Sequence, residues 1–224
     1  MLSFYGSYME GLSQGPIAPS NTVNSGQVFA PNKTQQYEVG TKFDFGRMAV
    51  TLSAYQITVL SGITDPVTRV FSVDGEQRNR GIELSWFGEV MPGLRLLGGV
   101  TAMEGIQSKT AGHLNDGKRA VGVPKFQGSF RAEWDVPSLH GVTLIGQAVY
   151  TGARYLDTAN TITVPNWTRF DAGLRYATKI VERPVTFNLN VTNIFDRNYW
   201  ESNPTSYAQV GPGRTVWLSV AADF

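Results

Sequence analysis

The sequence predicts an all-β protein, an antiparallel transmembrane β-barrel. Three observations carry this: apolar and polar residues alternate with period two, long and short connections alternate, and the last strand runs out to an aromatic carboxyl terminus. In that last segment Val216, Leu218, Val220, Ala222 and Phe224 share one face. Thr215, Trp217, Ser219, Ala221 and Asp223 share the other. A barrel strand that shows one face to lipid and ends at an interfacial aromatic belt has this pattern.

Taken in order, the strands start at the amino terminus, where residues 2–10 are β-rich. Residues 37–45 set Val39, Thr41 and Phe43 against Glu38, Lys42 and Asp44. Residues 48–60 are less regular. Residues 81–89 set Ile82, Leu84 and Trp86 against Glu83, Ser85 and Glu89, and 94–104 again is β-rich. In 125–136, Phe126, Phe130 and Trp134 oppose Lys125, Arg131, Glu133 and Asp135. After 142–155, residues 168–176 set Phe170, Leu174 and Tyr176 against Arg169, Asp171 and Arg175. In 185–192, Phe187 and Leu189 oppose Asn188 and Asn190. With the final segment this makes about ten strands of roughly 9–14 residues, long enough to cross a bilayer at a tilt.

Between them, long connections near 11–33, 61–76, 107–122, 157–166 and 196–213 alternate with short ones at 45–47, 91–93, 137–141 and 179–184. In an outer-membrane barrel the long loops are extracellular and the short turns periplasmic. A soluble β-sandwich also alternates, but its strands average about five or six residues and nothing in it requires connection lengths to alternate.

Composition narrows the function. The mean hydropathy of -0.16 fits strands that are only half apolar. Nineteen Lys+Arg against 18 Asp+Glu create no basic field, so nucleic acid is not expected as a partner. There is no cysteine, and the two histidines, His113 and His140, fall in connections. No metal site or catalytic residue is expected, and an outer-membrane hydrolase lacks a base on a predicted strand. The amino terminus, Met1 to Tyr8, has no basic region followed by an apolar run and reads as strand interior. The expectation is a piece of a longer protein, with its export signal elsewhere.

Charged residues cannot face hydrocarbon without a cost of about 2–4 kcal/mol for a midplane Arg or Lys. The face carrying Glu38, Lys42, Glu83, Arg131, Glu133, Arg169, Asp171 and Arg175 is therefore assigned to the lumen. Its mixed signs argue against a pore selective for one sign of charge. They suit either a water-filled wall or contact with a polar plug.

Tyr37-Glu-Val-Gly-Thr-Lys42, Asn79-Arg-Gly-Ile-Glu-Leu-Ser85, Val123-Pro-Lys-Phe126 and Asn190-Val-Thr-Asn-Ile-Phe-Asp-Arg-Asn-Tyr199 stand in this order before the terminal Phe224. Together they resemble the carboxy-terminal barrel portion of TonB-dependent outer-membrane receptors, particularly the siderophore receptors. The resemblance implies about the last ten strands of a 22-stranded plugged barrel, with residues 1–224 as barrel and with signal peptide, plug and TonB box absent. It further implies a receptor in the Gram-negative outer membrane that imports a ferric siderophore using TonB-supplied energy, with no resident cofactor. A passive porin-like channel is the alternative.

Expected partners are the siderophore, the TonB complex, outer-membrane lipid and the barrel-assembly machinery, which would read Phe224. Ligand contacts are expected at the outer end, from Tyr155, Trp200 and Tyr207 with Arg154 and Arg214, since flat aromatics and cations suit anionic iron chelates. Trp167 and Tyr199 are assigned instead to the lipid-facing aromatic belt.

Overall fold

A computed structural model describes residues 1–202 and 207–223, and its main body is one antiparallel sheet of ten strands. In chain order these are β1 (Leu2–Ser13), β2 (Asn32–Asp44), β3 (Met48–Thr64), β4 (Phe71–Met91), β5 (Leu94–Lys109), β6 (Phe126–Asp135) and β7 (Val142–Thr151). Two short strands, β8 (Arg154–Tyr155) and β9 (Thr163–Val164), pair with each other before β10 (Trp167–Ile180) and β11 (Arg183–Thr192). A second small pair, β12 (Trp200–Ser202) and β13 (Ala208–Val210), precedes β14 (Thr215–Ala222). The large sheet runs β1-β2-β3-β4-β5-β6-β7-β10-β11-β14, every neighbour antiparallel. It is open among the described residues, with β1 and β14 as its edges. No helix there is long and apolar enough to cross a membrane.

The register converts the alternation of single strands into continuous bands. On the apolar face, Gly6, Val39, Ala54, Ile82 and Ala102 lie in one cross-strand row, with Phe4, Thr41, Leu52, Leu84 and Val100 in the row below. The band continues through Phe130, Ala148 and Phe170, then through Leu174, Leu189 and Leu218. These side chains are left bare by the protein itself; Leu218 is 72% exposed. A surface this apolar, running the width of ten strands, is what lipid covers in a barrel wall. Tyr8, Tyr37, Phe126 and Tyr150 border it toward the long loops, while Trp86, Trp134 and Tyr176 border it toward the short turns. These are the two aromatic girdles.

The short turns are tight for local reasons. Asp44 Oδ1 accepts the Gly46 amide at 2.7 Å, and Gly46 takes a φ of 85° that a side chain would resist. Glu89 accepts the Gly93 amide at 2.8 Å in the next turn, again with Gly at positive φ. Between β10 and β11 the same geometry falls on Val181 and Glu182, with φ of 50° and 63°, where neither residue type favours it.

The outer end differs from expectation. The long loop foreseen at 61–76 is mostly strand: β3 runs 17 residues and β4 runs 21, leaving only residues 65–70 outside regular structure. Spanning needs about 9–11 residues, so this hairpin projects well beyond the bilayer. It bends at a register shift between Ser61 and Ile63. The expected carboxy-terminal signal, Phe224, lies outside the described residues.

The two faces should respond oppositely to charge. Within a complete barrel, Leu84→Arg should lower the unfolding free energy in lipid vesicles by about 2–4 kcal/mol, whereas Ser85→Arg, one residue along and on the other face, should cost far less. Equal losses in denaturant titrations would contradict the assignment of faces.

Candidate functional site

The face opposite the apolar band carries the side chains capable of ionic chemistry. Period-two geometry together with the register puts Glu38, Lys42, Glu83, Arg131, Glu133, Arg169, Asp171 and Arg175 on it. Its centre is a shared network across β5, β6, β7 and β10. Arg95 grips Asp135 bidentately at 2.7 and 2.8 Å, and the Thr143 hydroxyl donates to the same carboxylate at 2.7 Å. Glu133 accepts from Arg131 at 2.9 Å and from Arg175 at 3.0 Å, with Arg95 a further 3.7 Å away. Three guanidiniums thus share two carboxylates, so this network, though not the wall as a whole, has one positive charge in excess.

The β1–β3 side is different in character. Tyr5 donates to Glu38 at 2.6 Å, and the Lys42 ammonium sits over the Tyr5 ring, 5.1 Å from its centre. Gly40 is needed beneath that ring, because a Cβ there would come within 2.6 Å of it. Glu83 makes no hydrogen bond or ion pair among the described residues. It borders a shallow, open recess of about 380 Å³ with Thr101, Gln127 and Ser129. Glu83 and the surplus cation are the wall groups free to meet another surface.

Toward the outer end the wall is built into the loops. Arg169 donates to Asp171 at 3.0 and 3.1 Å and to the Tyr199 hydroxyl at 3.4 Å. Asp171 in turn accepts the Asn193 amide at 2.8 Å. Asn193 is 1% exposed and holds a φ of 54°. Its side chain donates to the carbonyls of Arg197 and Pro212 and accepts the Arg197 amide. One side chain therefore pins both ends of the loop between β11 and β14. The motif around it is visible in the sequence, but this clamp is not among the expectations drawn from it. The signal available was an Asn directly after an alternating strand, a residue that tolerates left-handed geometry and bonds locally to backbone.

Trp167 and Tyr199 do not face lipid, contrary to the sequence expectation. Their rings pack with a 39° tilt, 4.5 Å between centroids, and are 8% and 5% exposed. Trp167 pairs with Thr151 and so shares the face of Arg169, and Tyr199 folds back onto it from the loop. A strand-end aromatic is ambiguous from sequence, since belt and loop anchor need the same residue type.

Of the five expected ligand contacts, the structure brings Arg154 and Trp200 together. The Arg154 guanidinium donates to Ser202 Oγ and, at 3.2 Å, to the Trp200 carbonyl. Burial pushes this guanidinium down from its ordinary range, against the opposing charge of Glu201. Arg154 ties the loop after β7 to the β12–β13 hairpin, from which Trp200 remains half-exposed and Tyr207 largely exposed. Tyr155 lies on a recess of about 380 Å³ that Arg154 also borders, with Phe126, Tyr150 and Asn166. Arg214 is exposed at the start of β14, its amide bonded to Asp196 at 2.8 Å. Among the described residues no group of acidic and histidine side chains is arranged to hold a metal.

The family model described as TonB dependent receptor-like, beta-barrel matches residues 1–194. The chain belongs to the TonB-dependent receptor β-barrel family. It is 39% identical over 230 residues to the ferrichrome receptor FcuA of Yersinia enterocolitica, covering all of this chain and 30% of that protein. It is 33% identical over 212 residues to the ferrichrome outer membrane transporter/phage receptor of Escherichia coli K12, covering 91% of this chain and 27% of that one. The crystal structure of BauA, the ferric preacinetobactin receptor from Acinetobacter baumannii, superposes with a TM-score of 0.89 at 42% identity, covering the whole chain and 34% of BauA. This TonB-dependent receptor segment is thus an outer-membrane barrel wall spanning about a third of the length of its relatives. They are receptors and transporters, not enzymes.

The turn that presents Tyr155 has a built-in acid limit. The Ile162 amide, with Thr161, donates to Asp157 and holds its carboxyl below the usual Asp range, against a smaller opposing effect of desolvation. A depressed folded pKa contributes stability above the unfolded value of about 3.9 and loses it as pH falls through the folded value. Proteolysis at residues 156–162 should accelerate in that acid window in the parent receptor, and Asp157→Asn should remove this pH dependence.

Proposed function

We propose that the full-length receptor containing this wall binds a ferric siderophore at its extracellular end and imports it with energy from the TonB complex. The observation that carries the reading is the outer-end arrangement. Flat aromatic side chains, Trp200 and Tyr207, stand exposed on a hairpin that a buried Arg154 anchors, at the end of the barrel where the long loops gather. Aromatic faces with nearby cations, here Arg154 and Arg214 with Tyr155 on the flanking loop, suit an anionic, partly planar iron chelate. The names of the relatives, a ferrichrome receptor and a ferric preacinetobactin receptor, agree with cargo of this class.

The remaining parts follow from physical need. An open sheet edge has backbone groups that lipid cannot satisfy, so further strands of the receptor close the barrel beyond β1 and β14, to the 22 of the family. A plug carrying the TonB box packs against the inner wall, where Glu83 and the surplus cation of the Arg95–Arg131–Arg175 network offer complementary contacts. Phe224 directs insertion by the barrel-assembly machinery. Siderophore is cargo in this reading, and no resident cofactor is required.

The test uses the full-length receptor in a strain lacking its other iron receptors, grown under iron limitation with single siderophores. At least one siderophore should support growth only when TonB is intact. Uptake that persists without TonB would favour the passive channel. Alanine at Trp200 and Tyr207 together should weaken binding of that siderophore roughly tenfold or more, about 1.4 kcal/mol, with receptor abundance in the outer membrane unchanged. Unaltered binding would remove the hairpin from the ligand site.

A further inference from the structure

The lipid-facing surface is apolar except at its outer border, where charges gather on β4 and β5 and the segments that follow. Two adjoining cross-strand rows hold them. In the outer row Arg78 pairs with Ile106, and Ile106 pairs on its other side with Arg119 through an isolated bridge. In the row below, Arg80 lies opposite Glu104 and donates to it at 2.6 and 2.9 Å. Lys125, which the alternation of 125–136 would turn inward, precedes β6 and borders the same groove, its carbonyl accepting the Met103 amide at 2.9 Å. Arg80, Glu104, Arg119 and Lys125 border one groove of about 620 Å³, floored by Ala54, Ile82 and Ala102.

Charge in this patch is unbalanced. Four cations meet one carboxylate, and Arg80 already occupies that carboxylate. Arg78 and Lys125 make no side-chain hydrogen bond or ion pair among the described residues. Arg119 has a buried Nη1 without a hydrogen-bond partner. A buried guanidinium nitrogen left unpaired is costly, and so is an unpaired cation at the edge of hydrocarbon. Adjacent strands are about 4.8 Å apart, so Arg78 and Arg119 stand about 10 Å apart across Ile106, far enough to engage one phosphate each or to close on one from both sides. Directly below, Ala54, Ile82 and Ala102 form one cross-strand row, and Leu52, Leu84 and Val100 the next, so the apolar band begins immediately beneath the cations.

We propose that this groove is a binding site for a phosphate-bearing lipid of the outer leaflet. Arg78, Arg119 and Lys125 hold its headgroup phosphates, and its acyl chains lie against the apolar band that starts at Ala54, Ile82 and Ala102. The occupant is a lipid because the cations sit at the polar edge of the face that lipid covers, with the apolar band continuous beneath them. A soluble anion would need only the cations. Arg119 and Lys125 also border the recess that holds Tyr155 and Arg154, so retained lipid, not siderophore uptake, is the readout that tests this site.

The full-length receptor, extracted from outer membranes in mild detergent, is washed in high salt and its retained phosphorylated lipid measured by mass spectrometry. The triple variant Arg78→Gln, Arg119→Gln, Lys125→Gln should retain about tenfold less, with its heat-modifiable mobility unchanged. Glu104→Gln, which frees Arg80, should retain more than the parent. Delipidated receptor should bind vesicles of phosphorylated glycolipid but not the dephosphorylated lipid, and inorganic phosphate at millimolar concentration should not displace it. Equal retention by the parent and triple variant, or equal binding of dephosphorylated lipid, would overturn the proposal. Displacement by inorganic phosphate would do so as well, by reducing the groove to a simple anion site. If the triple variant fails to accumulate, the Glu104→Gln result decides alone: no gain in retained lipid rejects the site.

Discussion

The backbone hydrogen-bond ladder is the constraint on which everything else in this chain depends. Hydrocarbon offers no partner for a peptide N–H or C=O, so each spanning residue must be paired with the strand beside it. That requirement keeps the ten long strands antiparallel and in nearly unbroken register from β1 to β14. Register in turn decides which side chains line up across the wall, and a slip of one residue would turn every apolar side chain inward. Irregularities occur where the chain has left the membrane or nears its edge, as at Ser61–Ile63 and at Glu89–Met91.

With one face given to lipid, ionic chemistry is confined to the other face and to the rims. The inner wall handles its charge by sharing: three arginines divide two carboxylates, and Lys42 rests on an aromatic ring that itself serves Glu38. The outer loops are held by polar side chains together with small buried apolar contacts such as Phe29–Phe71 and Trp167–Tyr199. Asn193 and Arg154 each fasten segments far apart in sequence, and Gln107 joins two loops by donating to the carbonyls of Arg119 and Thr158. Loops secured in this way present aromatic side chains at defined positions, which is what recognition at the barrel mouth requires.

Much of this was legible in the residues. The segments at 125–136, 168–176 and 185–192 alternate cleanly because each is half in lipid and half in a polar interior, and those fall on β6, β10 and β11. The 61–76 region was harder. Its strands leave the bilayer, so no apolar face is demanded of Asp74, Gly75 and Glu76, and a strand held only by its ladder looks like loop. Trp167 and Tyr199 were misplaced because a bulky aromatic at a strand end satisfies belt and loop anchor equally. Their contact depends on a chain reversal at Asn193, and the Asn after an alternating strand signals a turn without saying where the loop returns.

Alternation and connection lengths were enough to establish a membrane barrel wall and its two faces, since lipid imposes the same period on every crossing. Pairing across the loops was not accessible that way. That Arg154 supports the Trp200 hairpin, that Asn193 closes a loop, and that Arg78 and Arg119 flank one isoleucine on the outer surface all depend on residues well separated in sequence, 19 positions for Asn193–Pro212 and 46 for Arg154–Trp200. Such contacts are set by strand register and by where each loop returns to the sheet, and neither is encoded in the period of a single strand.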